Sequence, residues 1–172
     1  PKTMIPLEVT GNASTLVDEA MTEDRLVGLI MVKNEPEKPN HYKQEDLYHV
    51  GTCSVIMKMA KTVDNHTQML LQGVSRFSIE EIIEGKPYQR ARIKIIEETD
   101  VKDLETEALM SNLLSLFDRI LKLSPFLPPE FGPMAKSITE AGTLADLIAS
   151  IINAPVEEKQ KILDIADIKK RL

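Results

Sequence analysis

The sequence predicts an α+β fold in which a β-rich part, residues 1–99, precedes an all-helical part, residues 100–172. Three observations predict this division. Short apolar segments separated by turn residues fill residues 1–99, which is typical of strands. Two of these segments flank a polar turn and indicate a β-hairpin. Residues 100–172 carry apolar residues at the three- and four-residue spacing of amphipathic helices.

Length and composition are those of a globular chain. At 172 residues it has the size of one ordinary domain or two small ones. Hydrophobic residues make up 42% and charged residues 28%, and no apolar run reaches the roughly 18 residues of a membrane span. The net charge of −6 is spread evenly, with −3 in residues 1–99 and −3 in residues 100–172. We therefore expect no membrane partner, and the acidic balance disfavours nucleic acid.

Two features of the sequence bear on its cellular context. The single cysteine, Cys53, allows no internal disulfide, which favours a reducing compartment such as the cytoplasm. The sequence begins Pro1-Lys2-Thr3, with neither a methionine nor a leader-like apolar segment. We expect it to belong to a longer parent protein.

The predicted hairpin is the most strongly patterned stretch of the chain. Its strands run from Cys53 to Met59 and from Met69 to Phe77, and the polar turn between them is Val63-Asp64-Asn65-His66. Alternation along the first strand places one set of side chains inward and the other outward. The set predicted to face inward is Cys53, Val55, Met57 and Met59, and the opposite set is Ser54, Ile56 and Lys58.

Four further elements are predicted in residues 1–99. Met4 to Val9 contains Pro6 and suits an edge strand. A short helix is expected from about Ala13 to Thr22, capped by Ser14 or Thr15. The near-continuous apolar run from Arg25 to Val32 predicts a central strand buried on both faces, followed by an exposed loop over residues 33–43. A last strand, Tyr88 to Ile96, has a basic face of Tyr88, Arg90, Arg92 and Lys94.

Four helices and a final helical turn are predicted in residues 100–172. The first runs to Leu123 from a cap at Thr99 or Asp100, and two adjacent apolar seams make its apolar face unusually wide. One seam is Leu109, Leu113, Leu116 and Ile120, and the other is Met110, Leu114, Phe117 and Leu121. Ser124-Pro125 ends this helix, and a short helix follows within residues 130–141. The third helix has Thr143 as its cap, with Asp146 completing a partial capping box. Its predicted apolar face consists of Leu144, Leu147, Ile148, Ile151 and Ile152. Pro155 opens the fourth, whose Ile162, Leu163 and Ala166 are expected to face inward, and Asp167 begins the last turn.

No catalytic, cofactor or metal site is predicted. Gly85-Lys86 lacks the upstream glycine and the following Ser or Thr of a phosphate-binding loop. His41, His49 and His66 never stand three or four residues apart, which favours surface roles over metal binding. Adjacent glutamates point to different sides of any regular element, so solvated charge is favoured over acid–base catalysis. Cys53 has no cationic neighbour in sequence and is expected to be inert.

Two features are candidates for binding. The basic face of the last strand is suited to an RNA backbone, but basic side chains on an edge strand also prevent aggregation, and that second interpretation is favoured. The eight methionines, with Phe126 and Phe131, are suited to holding unfolded polypeptide. Core filling is the favoured role for most of these methionines.

Several segments in the β-rich part resemble the N-terminal domain of the ATP-dependent protease Lon. Ile5-Pro6-Leu7 is similar to an early strand of that family. The stretch Glu45-Asp46-Leu47-Tyr48-His49-Val50-Gly51-Thr52 is similar to its Asp-Leu-Tyr-x-Val-Gly-Thr element. Gly73 and Arg76 are similar to its Gly-x-x-Arg turn.

The helical part carries the same resemblance, in the same order and at similar distances. Leu144-Ala145-Asp146-Leu147-Ile148-Ala149-Ser150 is similar to the family's Leu-Ala-Asp segment. Glu158-Lys159-Gln160 and Lys170-Arg171-Leu172 are similar to two segments that follow it. A strand that precedes Ile5 in the family has no counterpart here, and neither do the family's ATPase and Ser-Lys protease domains.

The resemblance implies a β-rich PUA-like lobe joined to a helical bundle. It implies a non-catalytic domain that recognises unfolded or damaged proteins and supports assembly of a hexameric serine protease, with ATP and magnesium confined to the absent ATPase domain. Substrate is then expected in the groove between the lobes or on the connection after the first long helix. The candidate residues are Phe126, Leu127, Phe131, Tyr88 and Arg90. The alternatives are a stand-alone PUA-like module for RNA or a small ligand, and a purely oligomeric spacer.

Overall fold

A computed structural model gives the fold. It describes the chain except for Glu37, Pro39, Asn40, Val63, Asn65, Lys86 and Asp100. The chain forms two compact units, Pro1–Ile96 (unit 1) and Glu97–Leu172 (unit 2). Within the described residues, unit 1 contains a five-stranded antiparallel sheet, one α-helix and a short 3-10 helix at Gln44–Asp46, and unit 2 contains α-helices. The predicted α+β fold class is therefore confirmed.

The sheet of unit 1 is built around one long strand. The strands are β1 Met4–Val9, β2 Leu26–Leu29, β3 Val50–Lys61, β4 Thr67–Ile83 and β5 Arg90–Ile96. One edge of β4 pairs with β3, and the other edge pairs first with β1 and then with β5. The order β1-β4-β3-β2 leaves β1 and β2 outermost. The edge position of β1 agrees with the prediction made from its proline.

The predicted hairpin is present as the β3–β4 pair. Pairing begins at Lys61 opposite Thr67, and the Thr62 amide donates to the His66 carbonyl over 2.9 Å. Of the predicted turn residues, Val63 and Asn65 lie outside the described residues. The two apolar strands in the middle of unit 1 therefore form an antiparallel hairpin, as predicted.

The predicted inward face of β3 is confirmed only in part, because Cys53 and Met59 pack against core clusters but Met57 does not. Ile56 is 1% exposed and Ser54 is also buried, whereas Met57, predicted to face inward, is 48% exposed. The register shifts twice along this pair, so that Met57 on β3 and Val74 on β4 are extra residues without a directly paired partner. A bulge of this kind reverses the alternation of side chains beyond it.

The prediction of a central strand at Arg25–Val32 is also wrong. Only Leu26–Leu29 forms a strand, β2, and it pairs with β3 alone. Leu26 is 41% exposed, while Val27 and Leu29 pack against a core cluster. An apolar run indicates a strand but does not fix its neighbours in the sheet.

Helix α1, Asn12–Thr22, packs on the sheet of unit 1 through a small core. Val17 and Ala20 of the helix meet Ile56, Met69 and Leu71 of β3 and β4. The predicted caps Ser14 and Thr15 lie inside the helix. The N-cap is Gly11, whose φ of 61° lies in the left-handed region that glycine adopts readily.

Unit 2 begins with the long helix α2, Leu104–Leu123. The predicted cap at Thr99 is wrong, and Asp100 lies outside the described residues. Asp103 caps the helix instead, because its carboxylate accepts a hydrogen bond from the Thr106 amide over 2.8 Å. One predicted apolar seam packs inward around the buried Phe117, but Leu116 of the other seam is 53% exposed.

The remaining helices complete the core of unit 2. They are α3 Phe131–Lys136, α4 Ala141–Ile151, α5 Val156–Asp164 and α6 Ile168–Arg171. Helix α4 is the most buried, and its Leu144, Leu147 and Ile148 join Phe117 and Ala135 in one cluster. The predicted apolar face of this helix is therefore confirmed.

Three local predictions in these helices are corrected. Thr143 lies inside α4, whose N-cap is Glu140. Asp146 does not complete a capping box but is buried, where it pairs with Arg171. Ala166 lies beyond the end of α5 and is exposed, whereas Ile162 and Leu163 are half-buried as expected.

Candidate functional site

An apolar groove of about 970 Å³ opens on unit 1. Its walls come from β1, α1, β2, β4 and β5, all within residues 7–93. Side chains that line it include Leu16, Val27, Leu29, Phe77, Ile79 and Ile93. Concave, largely apolar surfaces of this kind are common sites for ligands.

Close packing of two strands sets the floor of this groove. Phe77 of β4 is 2% exposed and is the paired partner of Gly51 on β3. A Cβ atom at Gly51 would lie 2.5 Å from the Leu29 carbonyl oxygen and 2.5 Å from Phe77 Cζ. Gly51 is therefore required for the aromatic ring and β2 to approach this closely.

Tyr88 and Arg90, two predicted binding residues, lie at the rim of the groove. The Tyr88 hydroxyl donates to the Glu19 carboxylate of α1. Arg90 Nη2 lies 3.3 Å from Glu19 Oε2, and the guanidinium stands 5.5 Å from the centre of the Tyr88 ring. The hydrogen bond with Tyr88 raises the pKa of Arg90. Both predicted residues are thus engaged with α1, and their role in binding stays a prediction.

The basic face of β5 is partly neutralised by carboxylates. Arg92 Nη1 lies 2.8 Å from Glu81 Oε2, in addition to the contact of Arg90 with Glu19. Phosphate groups of RNA would compete with these carboxylates for the two guanidinium groups. The contacts therefore disfavour RNA binding at this face, and its role in preventing aggregation stays a prediction.

The three predicted residues of unit 2 differ in exposure. Phe126, in the turn after α2, is 93% exposed, and Leu123 at the end of α2 is 81% exposed. Leu127 is half-buried. Phe131 begins α3 and packs against the core cluster of unit 2. We call Leu123, Phe126 and Leu127 the Phe126 patch, which combines the end of α2 with the start of the predicted connection.

Titratable groups in the described part of the chain form no cluster of three that could hold a metal ion. Two histidines contact single carboxylates. His41 Nδ1 lies 3.3 Å from Glu84 Oε2, and His66 Nδ1 lies 2.5 Å from Glu8 Oε1. The hydrogen bond with His66 lowers the pKa of Glu8, and burial raises the pKa of the Cys53 thiol. A raised thiol pKa leaves Cys53 a weak nucleophile.

Within the described residues, the helices are all too short or too polar to cross a membrane.

Sequence reasoning missed Glu19 and the groove, because residues distant in sequence create both. Glu19 lies 69 residues from Tyr88. It also missed a pair of cations, Lys169 and Arg171, that bind carboxylates 25 to 73 residues away. No local pattern identifies these two cations, because their carboxylate partners are distant in sequence.

A sheet unit followed by a helical unit defines this chain as a two-part α+β domain. The protein-family model for the ATP-dependent protease La (LON) substrate-binding domain matches residues 1–172, and the chain belongs to this family.

Curated relatives agree with this assignment. The chain is 54% identical to a Lon protease of Syntrophus aciditrophicus and 43% identical to one of Desulfosudis oleivorans. These matches include 100% of the chain but only 22% and 21% of the relatives, so the chain spans about a fifth of their length.

The fold is shared with solved Lon N-terminal domains. The N-terminal domain of Mycobacterium avium complex Lon protease superposes with a TM-score of 0.77, at 17% identity, over 99% of this chain and 86% of that one. A Lon N-terminal domain protein from Xanthomonas campestris gives a TM-score of 0.68 at 16% identity, over the same shares of the two chains.

Proposed function

We propose that this chain is the substrate-recognition domain of an ATP-dependent serine protease in the cytoplasm, and that it binds unfolded or damaged proteins. The family's description as a substrate-binding domain supports this, as do relatives named Lon protease. Such relatives are about five times longer than the chain. Peptide-bond hydrolysis and the use of ATP and magnesium are assigned to polypeptide outside residues 1–172.

The observation that carries the proposal is the exposure of the Phe126 patch. A phenylalanine that is 93% exposed, three residues after a leucine that is 81% exposed, places apolar surface in water at the end of α2. Unfolded proteins expose apolar side chains that folded proteins bury. Contact between the patch and an unfolded protein removes apolar surface of both from water, which stabilises the complex by roughly 25 cal/mol per Å² of buried apolar area.

Weak binding at this patch is sufficient for the proposed role. Each occupied domain would hold a segment of substrate near the rest of the protease and raise its effective concentration there. Reversible contact also allows the segment to be released, so that the rest of the substrate protein can be unfolded. The patch would therefore keep substrate near the protease and would supply no catalytic group.

The test is a titration of the chain against one model protein in its folded form and in a permanently unfolded form, at two salt concentrations. We expect binding to the unfolded form alone and little dependence on salt, because apolar contacts are not screened. Leu123→Ala combined with Phe126→Ala should abolish it. Leu104→Ala is the matched control, because Leu104 is 84% exposed at the opposite end of α2. Equal binding by the patch variant would overturn the assignment to this patch.

We propose in addition that residues 1–172 support assembly of the longer protein into a hexamer. The resemblance to Lon supports this role. Mass measurement of the longer protein, with and without these residues, tests it. Loss of the hexamer on their removal is the expected result, and an unchanged hexamer would contradict a role in assembly.

A further inference from the structure

Helix α6 is too short to be stable by itself. It contains four residues, Ile168–Arg171, and one helical turn does not offset the entropy lost in forming it. Its cap is local, since Asp167 accepts a hydrogen bond from the Lys169 amide over 3.0 Å. Ile168 and Arg171 are its buried residues. Contacts with other parts of unit 2 must therefore hold it in place.

Arg171 supplies the most buried of these contacts. Its side chain is 0% exposed, and Nη1 lies 2.8 Å from Glu98 Oε1 and 3.3 Å from Asp146 Oδ1. A guanidinium removed from water in this way is tolerated only beside carboxylates. The contact joins α6 both to α4 and to the segment that follows β5.

Lys169 supplies a second contact at the start of α2. Its Nζ lies 2.7 Å from Asp103 Oδ2 and 2.5 Å from Glu105 Oε2. Asp103 is the cap of α2, and the Glu107 amide donates to its carbonyl over 3.0 Å. The partners of the two cations therefore include Glu98, Asp103 and Glu105, all within nine residues of the end of β5.

We propose that α6 and the first turn of α2 form one cooperative element that Arg171 holds together. When α6 detaches from Asp146 and Glu98, Lys169 leaves Asp103, and the first turn of α2 loosens with the segment before it. Arg171 is a positioning residue in this element. A partner that binds or pulls α6 would thereby change the order of the segment that follows β5. This coupling does not rest on the proposed substrate binding.

The experiment is amide hydrogen exchange, measured residue by residue on the whole chain with Arg171→Met and Arg171→Lys. Arg171 makes no hydrogen bond or ion pair with Asp103, Thr106 or Glu107 among the described residues. Even so, we expect the Thr106 and Glu107 amides to exchange about 100-fold faster in Arg171→Met, together with the amides of α6. Arg171→Lys should give a smaller increase at the same amides, since it keeps the charge but loses the planar fork.

Two controls separate coupling from general destabilisation. The Ser124 amide at the far end of α2 donates to Ile120 over 2.9 Å, and the Ile152 amide donates to Ile148 over 3.0 Å. Both should keep their exchange rates. Lys170→Met removes the same charge from an exposed position of α6 and should leave all these amides unchanged.

Two results would overturn the coupling. Faster exchange in α6 with unchanged Thr106 and Glu107 would show that the two segments open independently. Equal acceleration at Ser124 and Ile152 would show that Arg171 only stabilises unit 2 as a whole. If Arg171→Met does not fold, Arg171→Lys decides by the same comparison.

Discussion

Lys169 Nζ lies 2.7 Å from Asp103 Oδ2, so a cation from the last helix meets the carboxylate that caps the long helix α2. The hydrogen bond from Lys169, together with those from Thr106, lowers the pKa of Asp103 from 3.8 to about 2. The same contact, with that to Glu105, raises the pKa of Lys169. One pair thus joins residues that are 66 positions apart.

The first prediction concerns the pH dependence of this pair. Because the pKa of Asp103 is lower in the folded chain, its stabilising effect is complete above about pH 4 and is lost as the pH falls through about 2. A titration followed by the carboxyl chemical shift of Asp103 should show a midpoint near 2. Lys169→Met should raise that midpoint, and Lys170→Met should not. A midpoint at the ordinary 3.8 in the unsubstituted chain would refute the interaction.

The second prediction tests the reversed faces of β3. Ile56→Ala should lower the free energy of unfolding by about 2–5 kcal/mol, because it leaves a cavity beneath α1. Met57→Ala, at the neighbouring position, should cost under about 1 kcal/mol, because Met57 is 48% exposed. Urea denaturation of the two variants measures both values. A larger loss of unfolding free energy for Met57→Ala than for Ile56→Ala would indicate that Met57 faces the core, and it would contradict the bulge.

The third prediction concerns the close approach at Gly51. Gly51→Ala places a Cβ atom 2.5 Å from backbone oxygen, which the strand cannot relieve by a side-chain rotation. We expect a loss of about 1–3 kcal/mol in unfolding free energy, or more if β2 separates from β3.

The control for this substitution is Gly132→Ala in α3, where the nearest atom would be 3.4 Å away. Alanine favours helix, so this variant should be at least as stable as the unsubstituted chain. Equal stability of the two alanine variants would contradict the packing described around Phe77.

The fold class, the β3–β4 hairpin and the apolar face of α4 were predictable because each depends on residues close in sequence. The inward face of β3 was not, because a bulge is set by pairing with β4 and reverses the alternation at Met57. The apolar run at Arg25–Val32 was likewise ambiguous, since apolar residues suit a central strand and an edge strand over a groove. The contact of the cap residue Asp103 with Lys169 could not be predicted either, because the two residues are distant in sequence.

The sequence predicts which residues are candidates for binding, but it does not predict their exposure or their contacts. The exposure of Phe126 and the packing of Phe131 against the core follow from where α2 ends and α3 begins, and both residues lie in one proline-rich stretch. Tyr88 and Arg90 could be placed on one face from their spacing. Their contact with Glu19 could not, because it requires α1 to pack beside the start of β5.

Amide chemical-shift mapping on the chain detects contact between the Phe126 patch and unfolded protein. Titration with a permanently unfolded protein should shift the amides of Leu123, Phe126 and Leu127 most, with Leu104 unaffected. The folded form of the same protein should shift none of them. Shifts confined to other residues, or equal shifts with the folded form, would contradict recognition of unfolded protein at this patch.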